Sequence, residues 1–192
     1  FLDIHHIVAD GTSLGIILND INRAYSGEKL EVEEYTSYDL ALDNRDALAS
    51  DAYKNAENYY KSVFENAGGS INFYPDKSGA APTAEMYHRE TSEFSVQDVK
   101  AFCKKHGITE NVFFGITLGK YNFRKDAVFT TIYHGRNDSR LSDTVGMLVK
   151  TLPVYCDFSG STADCLNAVQ QQLINSMNND IYPFSQISHE FN

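Results

Sequence analysis

Apolar residues recur with a helical period in some stretches of this chain and gather into short continuous runs in others. Leu14, Ile17, Leu18 and Ile21 fall at i, i+3, i+4 and i+7 after Thr12 or Ser13 as N-cap, and Gly27 ends the pattern. That spacing predicts an amphipathic helix with this stripe turned inward. Residues 1–8 are a short apolar run with β-branched members, where a strand is expected. A second helix is expected from near Ser37. A third runs from about Asp51 to Asn66, with Ala52, Ala56, Tyr59 or Tyr60, and Val63 on one stripe, ending at Gly68-Gly69. Residues 75–83, PDKSGAAPT, hold two of the four prolines and read as a linker between two lobes.

Beyond that linker the elements alternate. Residues 84–94 read as a strand. Ser95 with Asp98 gives a capping-box signature for a helix with Val96, Val99, Phe102 and Cys103 inward, closed by Gly107. Thr109 caps a further helix to about Arg124, and residues 127–133 form an apolar β-branched strand. Residues 145–158 are strand-like but interrupted by Pro153, which suits an edge or a bend. Ser161 or Thr162 caps a last long helix with Leu166, Val169, Leu173 and Met177 in phase. The pattern is α/β in two parts.

Charge and composition narrow the function classes. The net charge of −10 argues against a nucleic-acid partner, since gripping phosphates needs a basic face. No apolar run approaches the roughly 18 residues that span a membrane, so no membrane partner is expected, and no signal peptide is visible. Cys103, Cys156 and Cys165 are too few and too irregular for a zinc site. Their odd number argues against a disulfide framework, so they read as small buried hydrophobes in a reducing compartment. The chain opens on Phe1-Leu2-Asp3-Ile4, without an initiator Met, and is expected to be a fragment.

His5, His6 and Asp10 stand out as chemistry. On a strand, neighbouring side chains alternate faces, so only one of the two histidines would enter a given cleft. The strand would run into a Gly-containing turn and then a helix, where a rigid scaffold presents a short loop. Asp10 is suited to hold that turn, and Gly11 to let backbone or substrate approach closely. Metal binding is the competing reading. Consecutive strand residues do not readily share one ion and no HxH or HxxxH spacing is present, so no metal is expected.

His5-His6-Ile7-Val8-Ala9-Asp10-Gly11-Thr12-Ser13 resembles the HHxxxDGxS signature of nonribosomal peptide synthetase condensation domains and their chloramphenicol acetyltransferase-like relatives. Tyr38-Asp39-Leu40-Ala41 is similar to that family's YxDYA-type motif. Gly135-Arg136 followed by Val145-Gly146-Met147-Leu148-Val149-Lys150-Thr151-Leu152-Pro153 is similar to its GR…VGxFVNTLP stretch. Asp180-Ile181-Tyr182-Pro183-Phe184 resembles its HxxYPF motif. The chain departs from the pattern at Lys150, usually Asn, at Tyr155, often Arg, and at Asn178 or Asn179, usually His.

The resemblance implies a two-lobed chloramphenicol acetyltransferase-like sandwich, here incomplete. Residues 1–74 would end the N-terminal lobe, 75–83 link, and 84–192 form most of the C-terminal lobe. It implies peptide-bond formation between a carrier-bound aminoacyl or peptidyl thioester donor and a carrier-bound aminoacyl acceptor. The partners would be an upstream donor and a downstream acceptor carrier domain and an adjacent adenylation domain, in a cytoplasmic synthetase. No cofactor would bind directly; 4′-phosphopantetheine arms would arrive on the carriers.

His6 takes the catalytic position by the resemblance, and imidazole suits it because it titrates near neutral pH. His5 would be structural. Asp10 would pair with an arginine, either Arg136 or one preceding this chain. Gly11 would line the passage of the arm, and Ser13, Gly146, Lys150 and Thr151 would belong to the tunnel. The alternatives are an epimerisation domain, a related acyltransferase, or a catalytically inert fragment that self-associates through unpaired strand edges.

Overall fold

The computed structural model describes residues 1–65, 67, 86, 90, 93–122 and 125–191. The expected linker at 75–83, most of the expected strand 84–94, Arg124, and the glycines expected to end the third helix lie outside these residues.

Helix α1, Gly11–Tyr25, starts two to three residues earlier than expected. Asp10, not Thr12 or Ser13, is the N-cap, its carboxylate accepting the Ser13 N–H. Gly27 follows the helix at φ 83°, where a residue without Cβ turns the chain cheaply. The expected inward stripe is not covered among the described residues: Leu14, Leu18 and Ile21 are exposed and Ile17 is half-buried. Nor is the segment before α1 a strand. It ends in a turn over His6 and Ile7, closed by the Val8 N–H donating to the His5 carbonyl at 3.1 Å. A strand needs a neighbour to take its backbone hydrogen bonds, and none lies beside this segment among the described residues.

Helices with strong end signals form where expected. α2, Ser37–Ala47, carries a capping box between Thr36 and Asp39. α3, Asp51–Phe64, buries Ala56 and Tyr60 of the expected stripe together with Phe64, whereas Val63 is half-buried and Ala52 is exposed. α4, Val96–His106, has the capping box Ser95–Asp98 and ends on Gly107 at φ 65°. Val99 and Cys103 are buried there, whereas Val96 is exposed. α5, Glu110–Asn122, begins with the Thr109 hydroxyl accepting the Val112 N–H at 3.3 Å. α6, Thr162–Asn178, repeats the reciprocal pair with Ser161 and Asp164, and buries Leu166, Val169 and Leu173. A short helix not expected from the sequence, α7, Phe184–Phe191, follows Pro183.

Strands β1, Asp126–Tyr133, and β2, Lys150–Asp157, form a two-stranded sheet. The Phe158 N–H donates to the Lys125 carbonyl at one end, and Gly135 lies against Leu148 at the other, so the strands run antiparallel. Pro153 sits inside β2. The Tyr155 N–H is taken by the Gln172 side chain at 2.6 Å, hence faces away from β1, and by the period of two the position of Pro153 faces the same way. The missing N–H therefore removes no ladder bond. The expected strand 145–158 starts only at Lys150, because the backbone of residues 146–148 is hydrogen-bonded to α1 side chains instead.

By contacts the described chain forms two compact units whose segments interleave along the sequence. The first comprises Phe1–Ser62, Ile132–Leu152 and Met177–Glu190. At its core Tyr182 stacks with Tyr60 at 6.2 Å between ring centroids and meets Tyr53 edge-on at 5.2 Å. The second comprises the described residues within Val63–Thr131 and Pro153–Ser176, together with Phe191. There α5 lies so close to β1 that a Cβ on Gly115 would meet the Phe129 ring at 2.5 Å. All three cysteines are buried, and burial pushes the Cys156 thiol up to about 12, as suits inert packing groups.

Candidate active site

Of the expected site residues, Asp10, Ser13, Arg136 and Gly146 meet at the first turn of α1. Asp10 is 1% exposed, and its carboxylate is fully engaged. Oδ1 accepts from the Ser13 N–H and lies 2.8 Å from the Ser13 hydroxyl, while Oδ2 accepts from the Leu148 N–H at 3.1 Å. Arg136 Nη2 reaches Oδ1 at 3.0 Å and Oδ2 at 3.3 Å. Of the two partners left open for Asp10, Arg136 is the one the structure pairs with it, and both side chains are buried. Burial by itself would raise the Asp10 pKa. The hydrogen bonds from Ser13, Leu148 and Arg136 outweigh it and bring the value down to about 2.

Arg136 owes its reach to Gly135. Gly135 has φ 68°, and a Cβ there would stand 2.0 Å from the Leu148 carbonyl oxygen. The Gly-Arg pair thus brings its backbone against residue 148 while the guanidinium turns back to Asp10. Its Nη1 donates to the carbonyls of Leu141 and Thr144, each at 2.7 Å. Thr144, which no pattern singled out, is itself buried, and its hydroxyl lies 2.7 Å from the Tyr35 carbonyl. A planar guanidinium presents its donors on separate nitrogens in a fixed fork, so Nη2 takes the carboxylate while Nη1 takes the two carbonyls.

Ser13 was expected in a tunnel wall. It is 0% exposed, and its hydroxyl joins Asp10, Arg136 and both backbone groups of Gly146. Gly146 is likewise buried, with room for a Cβ closed off by Leu148 at 2.7 Å and Ser37 at 3.0 Å. Lys150 forms an ion pair with Asp180, Nζ lying 3.1 Å from Oδ1 and donating to the Asp180 carbonyl at 3.2 Å. The residue that departs from the expected Asn is therefore tied to the start of the DIYPF segment. Thr151 is half-buried in β2. Within that segment the Tyr182 hydroxyl donates to Glu190 at 2.9 Å, and Asp39 of the YDLA segment caps α2. Those motifs are legible as anchors of structure.

The histidines differ from each other. His5 folds back on its own turn, Nδ1 accepting the Ile7 N–H at 3.1 Å, which fixes the ring locally. His6 sits at the tip of the turn, exposed, with no hydrogen bond to any described residue. The strand alternation expected for the pair does not apply; the turn separates them instead. Beside them Gly11 faces open space, with nothing within 4 Å of where a Cβ would stand. A groove of about 440 Å³ lined by Phe114, Leu118 and Phe129 among others lies in the second unit and includes none of the expected site residues.

Known proteins place this arrangement in a family. The sequence profile described as Condensation domain matches residues 1–192. Bacitracin synthase 2 of Bacillus licheniformis is 27% identical over 197 residues, an overlap of 97% of this chain and 8% of that protein. The nonribosomal peptide synthetase sidC of Arthroderma benhamiae is 28% identical over 192 residues, covering 97% and 4%. Among solved structures, the first condensation domain of the calcium-dependent antibiotic synthetase in complex with a substrate analogue superposes with TM-score 0.75 at 17% identity, covering 98% of this chain and 45% of that one. SgcC5 from Streptomyces globisporus gives TM-score 0.75 at 21% identity, covering 97% and 45%. The chain thus spans less than a tenth of these curated relatives and under half of these solved chains. Its fold is the chloramphenicol acetyltransferase-like fold of those structures, and the chain belongs to the condensation domain family.

Proposed function

We propose that this chain forms part of an amide-forming site in a cytoplasmic nonribosomal peptide synthetase, with His6 as its catalytic group. The observation that carries the reading is an exposed imidazole, without a competing hydrogen bond to any described residue, on a turn leading directly into a buried ionic network. A catalyst needs a reactive group that is both free and held, because misplacement by about 1 Å can cost a hundredfold in rate.

In the reaction the free amine of the acceptor attacks the thioester carbonyl of the donor. A C–N bond forms, the C–S bond breaks, and the donor's pantetheine sulfur leaves with the proton that the amine gives up. His6 takes that proton as the amine nitrogen becomes positive. Both substrates would arrive on 4′-phosphopantetheine arms of an upstream and a downstream carrier domain, loaded by adenylation domains. The open space beside Gly11 fits a thin chain passing close to the backbone. No described helix is long and apolar enough to cross a membrane.

The test uses the parent synthetase with a loaded donor carrier and a loaded acceptor carrier, weighing the acceptor by intact-mass spectrometry. A dipeptidyl mass is expected from the native protein and its loss, at least a hundredfold in rate, from His6→Ala. A dipeptide formed at native rate by His6→Ala would end the catalytic assignment. Inversion of the loaded amino acid without transfer would replace amide formation with epimerisation.

A further inference from the structure

We infer that Ser13 is a positioning residue for His6, an inference that rests on the amide-forming reading above. Its hydroxyl has one proton and two lone pairs, and the structure surrounds it with a matching set of partners. It accepts from the Gly146 N–H at 3.0 Å and from Arg136 Nη2 at 3.1 Å, and its proton lies between Asp10 Oδ1 at 2.8 Å and the Gly146 carbonyl at 2.9 Å. Asp10 also touches the helix start, the arginine and the 146–148 segment, but Ser13 is the neutral group of the pair and holds both backbone groups of Gly146.

The geometry leaves this joint little slack. Gly146 is pressed between Ser13 and the first residue of α2, with Ser37 Cβ 3.0 Å from where its own Cβ would stand. Oδ2 of Asp10 fixes the Leu148 N–H two residues on. The 146–148 backbone is therefore held against the α1 N-terminus by two side chains, of which Asp10 is a charge and Ser13 the neutral bridge.

His6 depends on that joint. Among the described residues its turn has one backbone hydrogen bond of its own, Val8 N–H to the His5 carbonyl, and one more in which the Ile7 N–H donates to the His5 ring. The chain then passes through the buried Ala9 and Asp10 into α1. The position of the imidazole is thus set by where α1 begins relative to residues 146–148. Removing the Ser13 hydroxyl leaves both Gly146 backbone groups and one Arg136 N–H without this partner, in a site closed to solvent. The segment must then shift to satisfy them, and the turn shifts with it.

The discriminating experiment compares Ser13→Ala with Val169→Ala in the parent synthetase. Val169 is buried on α6 in the second unit, so its truncation lowers stability without touching this network. Dipeptide formation is timed at a temperature where circular dichroism shows both variants folded. Ser13→Ala is expected to lose ten- to a hundredfold in kcat with the KM for the acceptor carrier changed less than threefold, and Val169→Ala to stay within twofold in both. Equal losses in the two variants, or native kcat in folded Ser13→Ala, would overturn the proposal. Should Ser13→Ala not fold, Ser13→Cys keeps a weaker donor and acceptor at the same place. A fall in its kcat of fivefold or more supports positioning, and an unchanged kcat rejects it. The native synthetase is the control for the underlying reading: if it makes no dipeptide, amide formation itself fails before Ser13 is questioned.

Discussion

Asp10 is a carboxylate that burial alone would push toward its neutral form. Four hydrogen-bond donors reverse that preference and lower its pKa from 3.8 to about 2. A group depressed in the folded state stabilises the fold fully above its unfolded pKa, and that contribution is lost as pH falls through the folded value. The window here is from about pH 4 down to about pH 2, and the contribution is on the order of 2 kcal/mol. Asp39, Asp98, Asp138 and Asp157 are lowered as well, each by local hydrogen bonds on the surface, so total acid sensitivity does not isolate Asp10. Comparison with Asp10→Asn does. Urea denaturation at pH 7, 4, 3 and 2.5 is expected to show the native protein more stable at pH 7 and the gap closing across that window. A gap of constant size would mean that the carboxylate's charge contributes nothing through this network. At this scale the sequence motif identified the right carboxylate, but its partner was open until Arg136 was found beside it. A partner 126 positions away is a fact of tertiary packing that local spacing does not encode.

At the level of elements, the signals that proved readable were local ones. Thr36–Asp39, Ser95–Asp98 and Ser161–Asp164 each satisfy helix-end donors within three residues, so the helices begin where the sequence says. Strand signals were less dependable because a strand is completed by a neighbour. Residues 1–8 have strand composition and no adjacent strand among the described residues. Residues 145–149 have it too, yet their backbone is engaged by Asp10 and Ser13. The turn that makes this engagement feasible is at Gly135, and it separates two costs that glycine usually hides together. Gly27 and Gly135 both have positive φ, but a Cβ on Gly27 meets nothing within 4 Å, whereas on Gly135 it would stand 2.0 Å from a backbone oxygen. Gly27→Ala should therefore cost about 1 kcal/mol of backbone strain alone. Gly135→Ala should cost clearly more, at least about 3 kcal/mol, because the 148 carbonyl must also move. Thermal denaturation of the two variants side by side checks this. Equal shifts in Tm would show that the close approach of residues 135 and 148 is not maintained.

For the whole molecule, the apolar pattern is satisfied unevenly. In the second unit most of the expected inward positions are met, with Val99, Cys103, Leu166, Val169 and Leu173 buried, Phe102 half-buried and Val96 exposed. On α1 the same kind of pattern is left open: Leu14, Leu18 and Ile21 are exposed along one stripe, and Phe1, Leu2, Ile7 and Val8 before the helix are exposed as well. Periodicity reveals that a face wants cover without saying what covers it, which is why the stripe was legible and its environment was not. Contiguous apolar surface of this kind drives association in water, and a net charge of −10 opposes it by mutual repulsion. Since roughly 25 cal/mol is gained per Å² of apolar surface removed from water, and repulsion is screened within about 8 Å at physiological salt, burial should win as salt is raised. The isolated 192-residue chain is accordingly expected to bind a hydrophobic-surface dye and to show a light-scattering mass that rises above 21.5 kDa between 20 mM and 500 mM salt. Leu18→Glu, which puts a charge in the middle of the stripe, should reduce both signals. A dye-negative monomer at every salt concentration would show that the α1 stripe is covered in solution, by residues of this same chain.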